Sequence, residues 1–228
     1  MKKPIKTLLI ITFGLIIASC GGPGGDKATA GDAATAADSA NATMYVVNTN
    51  NSHLEWEGYK PTGTHHGQIS IASGILGILN GNIISGSFII DMKSIVNEDL
   101  TDEAYNQKLI GHLMSTDFFA VDSFPEAFFN ITSVIPLTSQ ETSSNGDTLT
   151  HLISGNLKIK GIEKNIQFKS GILIKDNQVL VLVPQFTIDR AEWKIKYASR
   201  KFFDNLKDKF VNDEIGIKIN LIATHKMY

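Results

Sequence analysis

The chain has 228 residues, 21 basic against 23 acidic side chains, and a single cysteine. One cysteine excludes an intramolecular disulfide, so the core alone must hold the fold. The balanced, faintly acidic charge gives no electrostatic footprint for nucleic acid, and none is expected as a partner.

At the N-terminus Lys2, Lys3 and Lys6 precede an apolar run from Leu8 to Ile17, followed by small residues. This is the layout of a secretory signal. Such a run rises only about 15 Å as a helix, half the thickness of a bilayer core. Its end, Ile17-Ala18-Ser19-Cys20, resembles the lipobox of bacterial lipoproteins. The resemblance implies removal of residues 1–19, lipidation of Cys20 and attachment to a membrane through that lipid. Gly21 in place of aspartate points to the outer membrane, with the protein facing the periplasm. An ordinary secretory signal that ends near a cysteine is the alternative. Cleavage would remove three lysines and no acids, moving the net charge from −2 to −5.

From Gly21 to Thr43 the chain holds only Gly, Ala, Asp, Thr, Ser, Asn, Lys and Pro. With no apolar side chain larger than alanine, residues 20–44 are predicted to be a lipidated cysteine and a disordered linker. Residues 45–228 form one domain of ordinary size.

Within that domain the dominant signal is period-two alternation, the mark of half-buried strands. Leu54, Trp56 and Gly58 share one face of the first run. Ile84, Phe88 and Ile90 share a face of the next, and Phe129, Ile131 and Ile135 of a third. Ile153, Leu157 and Ile159 follow. Then come Ile166, Phe168, Ile172 and Ile174, and after them Leu180, Leu182, Phe186 and Ile188. The last run carries Ile215, Ile217, Ile219 and Leu221. Asn80-Gly81, Asn145-Gly146 and Asp176-Asn177 supply hairpin turns between runs. Pro184 marks an edge, a bulge or a break. Only Leu100–Met114 breaks the rhythm, with acids at its start that suit a helix N-terminus. An all-β domain with one short helix follows. Alternation alone leaves a sandwich and a closed barrel equally open.

Few residues point to chemistry. His65, His66 and His112 invite a metal reading, but adjacent histidines on a strand face opposite ways, and no metal is expected. No Gly-x-Ser-x-Gly nucleophile elbow and no glycine-rich phosphate loop occurs, so neither catalytic residues nor a cofactor are expected. Arg190 to Phe210 interleaves basic and aromatic side chains, a pattern that fits a solvated face or a site for an anionic headgroup.

Several stretches resemble, in order, the YceI-like family of polyisoprenoid-binding proteins. They are Lys60 to Gly67 (KPTGTHHG), Gly86 to Ile95 (GSFIIDMKSI), His112 to Phe119 (HLMSTDFF), Phe124 to Phe128 (FPEAF), Gly155 to Gly161 (GNLKIKG) and Phe186 to Trp193 (FTIDRAEW). Phe202 to Leu206 and Asp213 to Ile215 complete the set. The resemblance implies an extended, lipocalin-like antiparallel β-barrel with a long apolar channel. Ala120 stands where an aspartate is usual, and Lys194, Ala198 and Lys207 stand where glycines are common. Trp56, Phe88, Phe129, Phe168, Leu182, Phe186 and Ile217 are then expected to line the channel, although core packing would suit each of them. Arg190, Lys194 and Tyr197 are expected at its mouth, facing a headgroup. The resulting expectation is a carrier or buffer of an isoprenoid lipid, a quinone or a polyprenyl compound. The rival is a non-catalytic structural or interaction barrel with a filled core. A homodimer is left open.

Overall fold

The computed structural model describes residues 22–225, so the signal segment and Cys20 lie outside the described residues. The elements in order are β1 (Asp26–Lys27), β2 (Thr43–Val47), β3 (His53–Lys60), β4 (Gly63–Leu79), β5 (Asn82–Asp91), β6 (Val96–Asn97), α1 (Glu103–Met114), β7 (Glu126–Thr142), β8 (Thr148–Ile159), β9 (Ile162–Lys175), β10 (Gln178–Asp189) and β11 (Glu214–Thr224). Eight antiparallel strands close into a barrel. The order runs β3-β4-β5-β7-β8-β9-β10-β11, and β11 pairs with both β10 and β3, which closes the ring. Closure decides between the two architectures that alternation left open.

The two ends differ. At one end the strands are joined by hairpins at residues 80–81, 143–147 and 176–177, as the turn residues require. At the other, two long excursions leave the barrel. Residues 92–125 carry β6 and α1, and residues 190–213 carry two short 3-10 turns. The Asp102 carboxylate accepts from the Tyr105 N–H at 3.0 Å and starts α1 where the acids indicated.

Bulges reset the inward face in three strands. Between Val183 and Phe186, around Pro184, β10 slips register. Val179, Val181 and Val183 therefore point inward with Phe186 and Ile188, and Leu180 and Leu182 do not. In β5 the pairing jumps from Ile78↔Ile83 to Gly77↔Ser85, so Ile83 is buried in place of Ile84. In β7 a shift after Ile131 leaves Ile135 54% exposed and turns Val134 toward the core. A single extra residue reverses every later side chain on a strand, which simple alternation cannot anticipate.

The segment expected to be disordered is instead laid across the barrel wall. β10 pairs with β9 only from Gln178 to Leu182, and beyond that point the two strands part. β1 fills the seam, parallel to Phe186 and Thr187. Ala28 N–H donates to Thr187 O at 2.8 Å, and Gly31 exchanges two backbone bonds with Asn165 at 2.8 and 3.1 Å. The Asn156 side-chain amide then brackets Ala34, accepting from its N–H and donating to its C=O. The composition argument weighed only apolar burial. Here the ordering comes from backbone groups that satisfy otherwise open strand edges. Small residues are needed for that approach: at Gly25, with φ of +111°, a Cβ would sit 2.1 Å from the Gln185 carbonyl oxygen.

Candidate functional site: an apolar cavity open at one end

The barrel encloses a cavity of about 600 Å3 that runs from Leu76 and Ile83 near the hairpin end to Lys60 and Lys209 at the other. That volume falls within the range of about 300–1,000 Å3 typical of small-molecule sites. Its wall is built by the inward faces of all eight barrel strands. Phe88, Phe129, Phe168 and Phe186 form a continuous run of rings, with successive centroids 6.2, 5.6 and 4.7 Å apart. Trp56 turns its only polar atom away, donating Nε1–H to Val96 O at 3.0 Å. Its apolar body therefore faces the cavity without leaving a donor unpaired.

Of the seven residues expected on the wall, Trp56, Phe88, Phe129, Phe168, Phe186 and Ile217 lie there. Leu182 does not, because the bulge at Pro184 gives its place to Val181 and Val183. Of the three expected at the mouth, Arg190 and Tyr197 reach the cavity and Lys194 does not. Lys194 is exposed and closes a 3-10 turn in the left-handed region, at φ 56°, with its N–H donated back to Ala191 O.

Arg190 reaches the cavity wall, but its polar head is largely committed elsewhere. The side chain is 1% exposed, and it donates to the carbonyls of Asn212, Ile195 and Val211 at 3.0, 2.8 and 2.9 Å. Asp213 lies 3.2 Å from the guanidinium, and the Phe118 ring 5.5 Å from it. Burial pulls its pKa down, opposed by Asp213 and Asp189. Arg190 thus fastens the 190–213 excursion over the barrel. Asp189 pairs instead with Lys201, whose pKa rises through that bond. Other cations of the basic-aromatic stretch lie over aromatic rings: Lys196 over Phe202 and Arg200 over Phe210, at 4.9 and 3.5 Å.

The polar groups that do reach the mouth include Lys60, His65, His112, Tyr197 and Lys209. His112 meets the Tyr197 ring edge-on at 4.4 Å. His65 and His66 face opposite ways on β4, His65 into the cavity and His66 into a shallow outer hollow with Glu55, Glu57 and Glu98. No cluster of metal-ligating side chains occurs among the described residues.

Sequence reasoning weighed His65 and His112 only as metal ligands and missed the partner that gives His65 its role. Asp99 Oδ2 lies 2.8 Å from His65 Nδ1, and Asp99 Oδ1 accepts from the His66 N–H at 3.0 Å. Asn97 Nδ2 donates to the same Oδ1. Burial alone would raise the Asp99 pKa, but these hydrogen bonds outweigh it and hold the carboxyl at about 2. The alternation of β4, with His65, Gly67 and Ile69 on one face, was the signal that could have placed His65 inside.

A closed antiparallel barrel around a deep, one-ended apolar cavity defines a lipocalin-like protein. The YceI-like domain model matches residues 45–223, and the chain belongs to that family. Among solved structures, the protein BcnA of Burkholderia cenocepacia is similar, at 17% identity and a TM-score of 0.56, over 78% of this chain and 99% of that one. A domain of Saccharophagus degradans described as polyisoprenoid-binding is similar at 11% identity and a TM-score of 0.55, over 82% of this chain and 100% of that one. A search of curated proteins gave no match. At such identities the structural likeness carries the fold.

Proposed function

We propose that this protein binds an isoprenoid lipid in its barrel and serves as a periplasmic carrier or buffer, held to the outer membrane through Cys20. The observation that carries the reading is the cavity itself: about 600 Å3, walled by aliphatic and aromatic side chains, with its polar groups gathered at the open end. An isoprenoid has the same division, a long apolar tail and a small polar head. Burial contributes about 0.8 kcal/mol per methylene-sized group, so several isoprene units bind without polar contacts along the tail. The role is one of binding, not catalysis. The filled-core rival loses its premise in a barrel that holds this space. The Saccharophagus domain's description as polyisoprenoid-binding agrees with the proposal.

Native mass spectrometry of the full chain, purified from membranes, tests the binding. A bound lipid of isoprenoid mass is expected. A ligand-free protein that also ignores a long-chain quinone added in detergent would contradict the reading. The anchor is tested separately: Cys20→Ala should move the protein from the membrane fraction to the soluble periplasm, and continued sedimentation with membranes would argue against lipidation.

A further inference from the structure

We propose that the His65–Asp99 pair reads the headgroup of the bound lipid, favouring a hydroxyl group over a carbonyl; this rests on the isoprenoid-binding reading above. The pair sits at the cavity mouth because β6 packs on β4 there. At Gly67 a Cβ would lie 1.9 Å from Val96 O, so only glycine lets β6 come that close. That approach brings Asp99, two residues beyond β6, onto the start of β4.

The geometry fixes the imidazole's tautomer. Asp99 is ionised across the physiological range, so it can only accept at His65 Nδ1. The Nδ1 proton is therefore fixed, and in the neutral ring Nε2 is left as a lone-pair acceptor. Among the described residues Nε2 has no hydrogen-bond partner, while His65 lines the cavity and its side chain is 22% exposed. An acceptor at an apolar mouth pairs with a donor. A quinol or prenol hydroxyl supplies one, and a quinone carbonyl brings only a second acceptor. In this arrangement Asp99 is the positioning residue and His65 touches the ligand.

The charge pattern around Asp99 also predicts a reversal. Its Oδ1 already takes the His66 N–H and the Asn97 amide. In Asp99→Asn the amide oxygen keeps those two donors, and the NH2 group turns toward His65 Nδ1. The ring then carries its proton on Nε2 and becomes a donor at the mouth.

The test uses delipidated full chain at pH 8 and the fluorescence of Trp56 and Trp193, both on the cavity wall, with four ligands: a quinol kept reduced under anaerobic conditions, its quinone, a prenol of the same tail and the tail hydrocarbon alone. The wild type should bind quinol or prenol about three- to tenfold more tightly than quinone, the scale of one hydrogen bond. Which of the two hydroxyl ligands leads identifies the source. His65→Phe should bind all four alike, with hydrocarbon affinity kept. Asp99→Asn should favour quinone, and the 15N signals of His65 should move from the Nδ1–H to the Nε2–H pattern. Equal wild-type affinity for quinol and quinone, or an Nε2–H tautomer in the wild type, would overturn the headgroup assignment and leave isoprenoid binding standing. Failure to bind any of the four would overturn both.

Discussion

The two ends of the barrel are built by different rules. The hairpin end is closed by turns whose conformation is local: Asn80 and Gly81 both take positive φ, 51° and 76°, as a tight hairpin demands. Just inside it, Leu76, Val179 and Ala223 are 1%, 0% and 0% exposed, and the wall is packed. The open end is held by long-range polar contacts. Arg190 there ties together carbonyls up to 22 residues away, and Ala120, Lys194, Ala198, Asn205 and Lys207 all adopt positive φ. The strained, polar, non-local end is the one that surrounds the entrance. Backbone strain concentrated at one site commonly accompanies function.

The largest expected effect comes from cutting the tie that separates the two ends. Arg190→Ala should cost about 3–5 kcal/mol, because the buried Ile195 carbonyl, the part-buried carbonyls of Asn212 and Val211, and Asp213 lose their partner. Urea denaturation measures it. A loss below about 1 kcal/mol would mean that the excursion is held by its apolar contacts alone.

A smaller effect belongs to Asp99 and depends on pH. Its folded pKa, about 2, lies below the ordinary 3.8, so its contribution is present above pH 4 and lost as pH falls toward 2. The size is about 2 kcal/mol. Stability of the wild type should drop more steeply than that of Asp99→Asn between pH 4 and 2, and parallel curves would show that the carboxylate is not held as described.

The smallest effect sharpens the contrast in strain. Ala198 sits at φ 46°, where an L-residue is disfavoured, so Ala198→Gly should stabilise the protein by about 1 kcal/mol. A thermal midpoint that falls would show that the entropy glycine adds to the unfolded chain outweighs the strain relieved.

The same contrast explains what the sequence could tell. Strand runs, hairpin turns and the cap of α1 obey local chemistry and are legible residue by residue. The order of family-like stretches carried the closed barrel and six of the seven expected wall residues. Leu182 was misplaced because a bulge is a one-residue event whose position alternation does not encode. Lys194 was misplaced because its charge suggested a headgroup contact while its backbone was needed for a turn. Lys194, Ala198 and Lys207, noted where glycines are usual, all fall at positive φ, 56°, 46° and 47°. The pattern of departures thus encoded backbone shape, not mouth chemistry. The N-terminal segment escaped because its partners, Phe186, Thr187 and Asn165, lie far along the chain.

The most direct measurement concerns the cavity. Gly58 lies on its wall, and a Cβ there meets nothing within 4 Å, so Gly58→Trp can start its side chain into open space and fill part of the cavity. With an isoprenoid ligand at about a hundredfold excess over its Kd, binding adds about 2.7 kcal/mol. This should raise the wild-type thermal midpoint by roughly 5–10 °C. Gly58→Trp should fold with a similar midpoint in the absence of lipid and show no rise in its presence. An equal rise in both proteins would place the lipid somewhere other than inside the barrel.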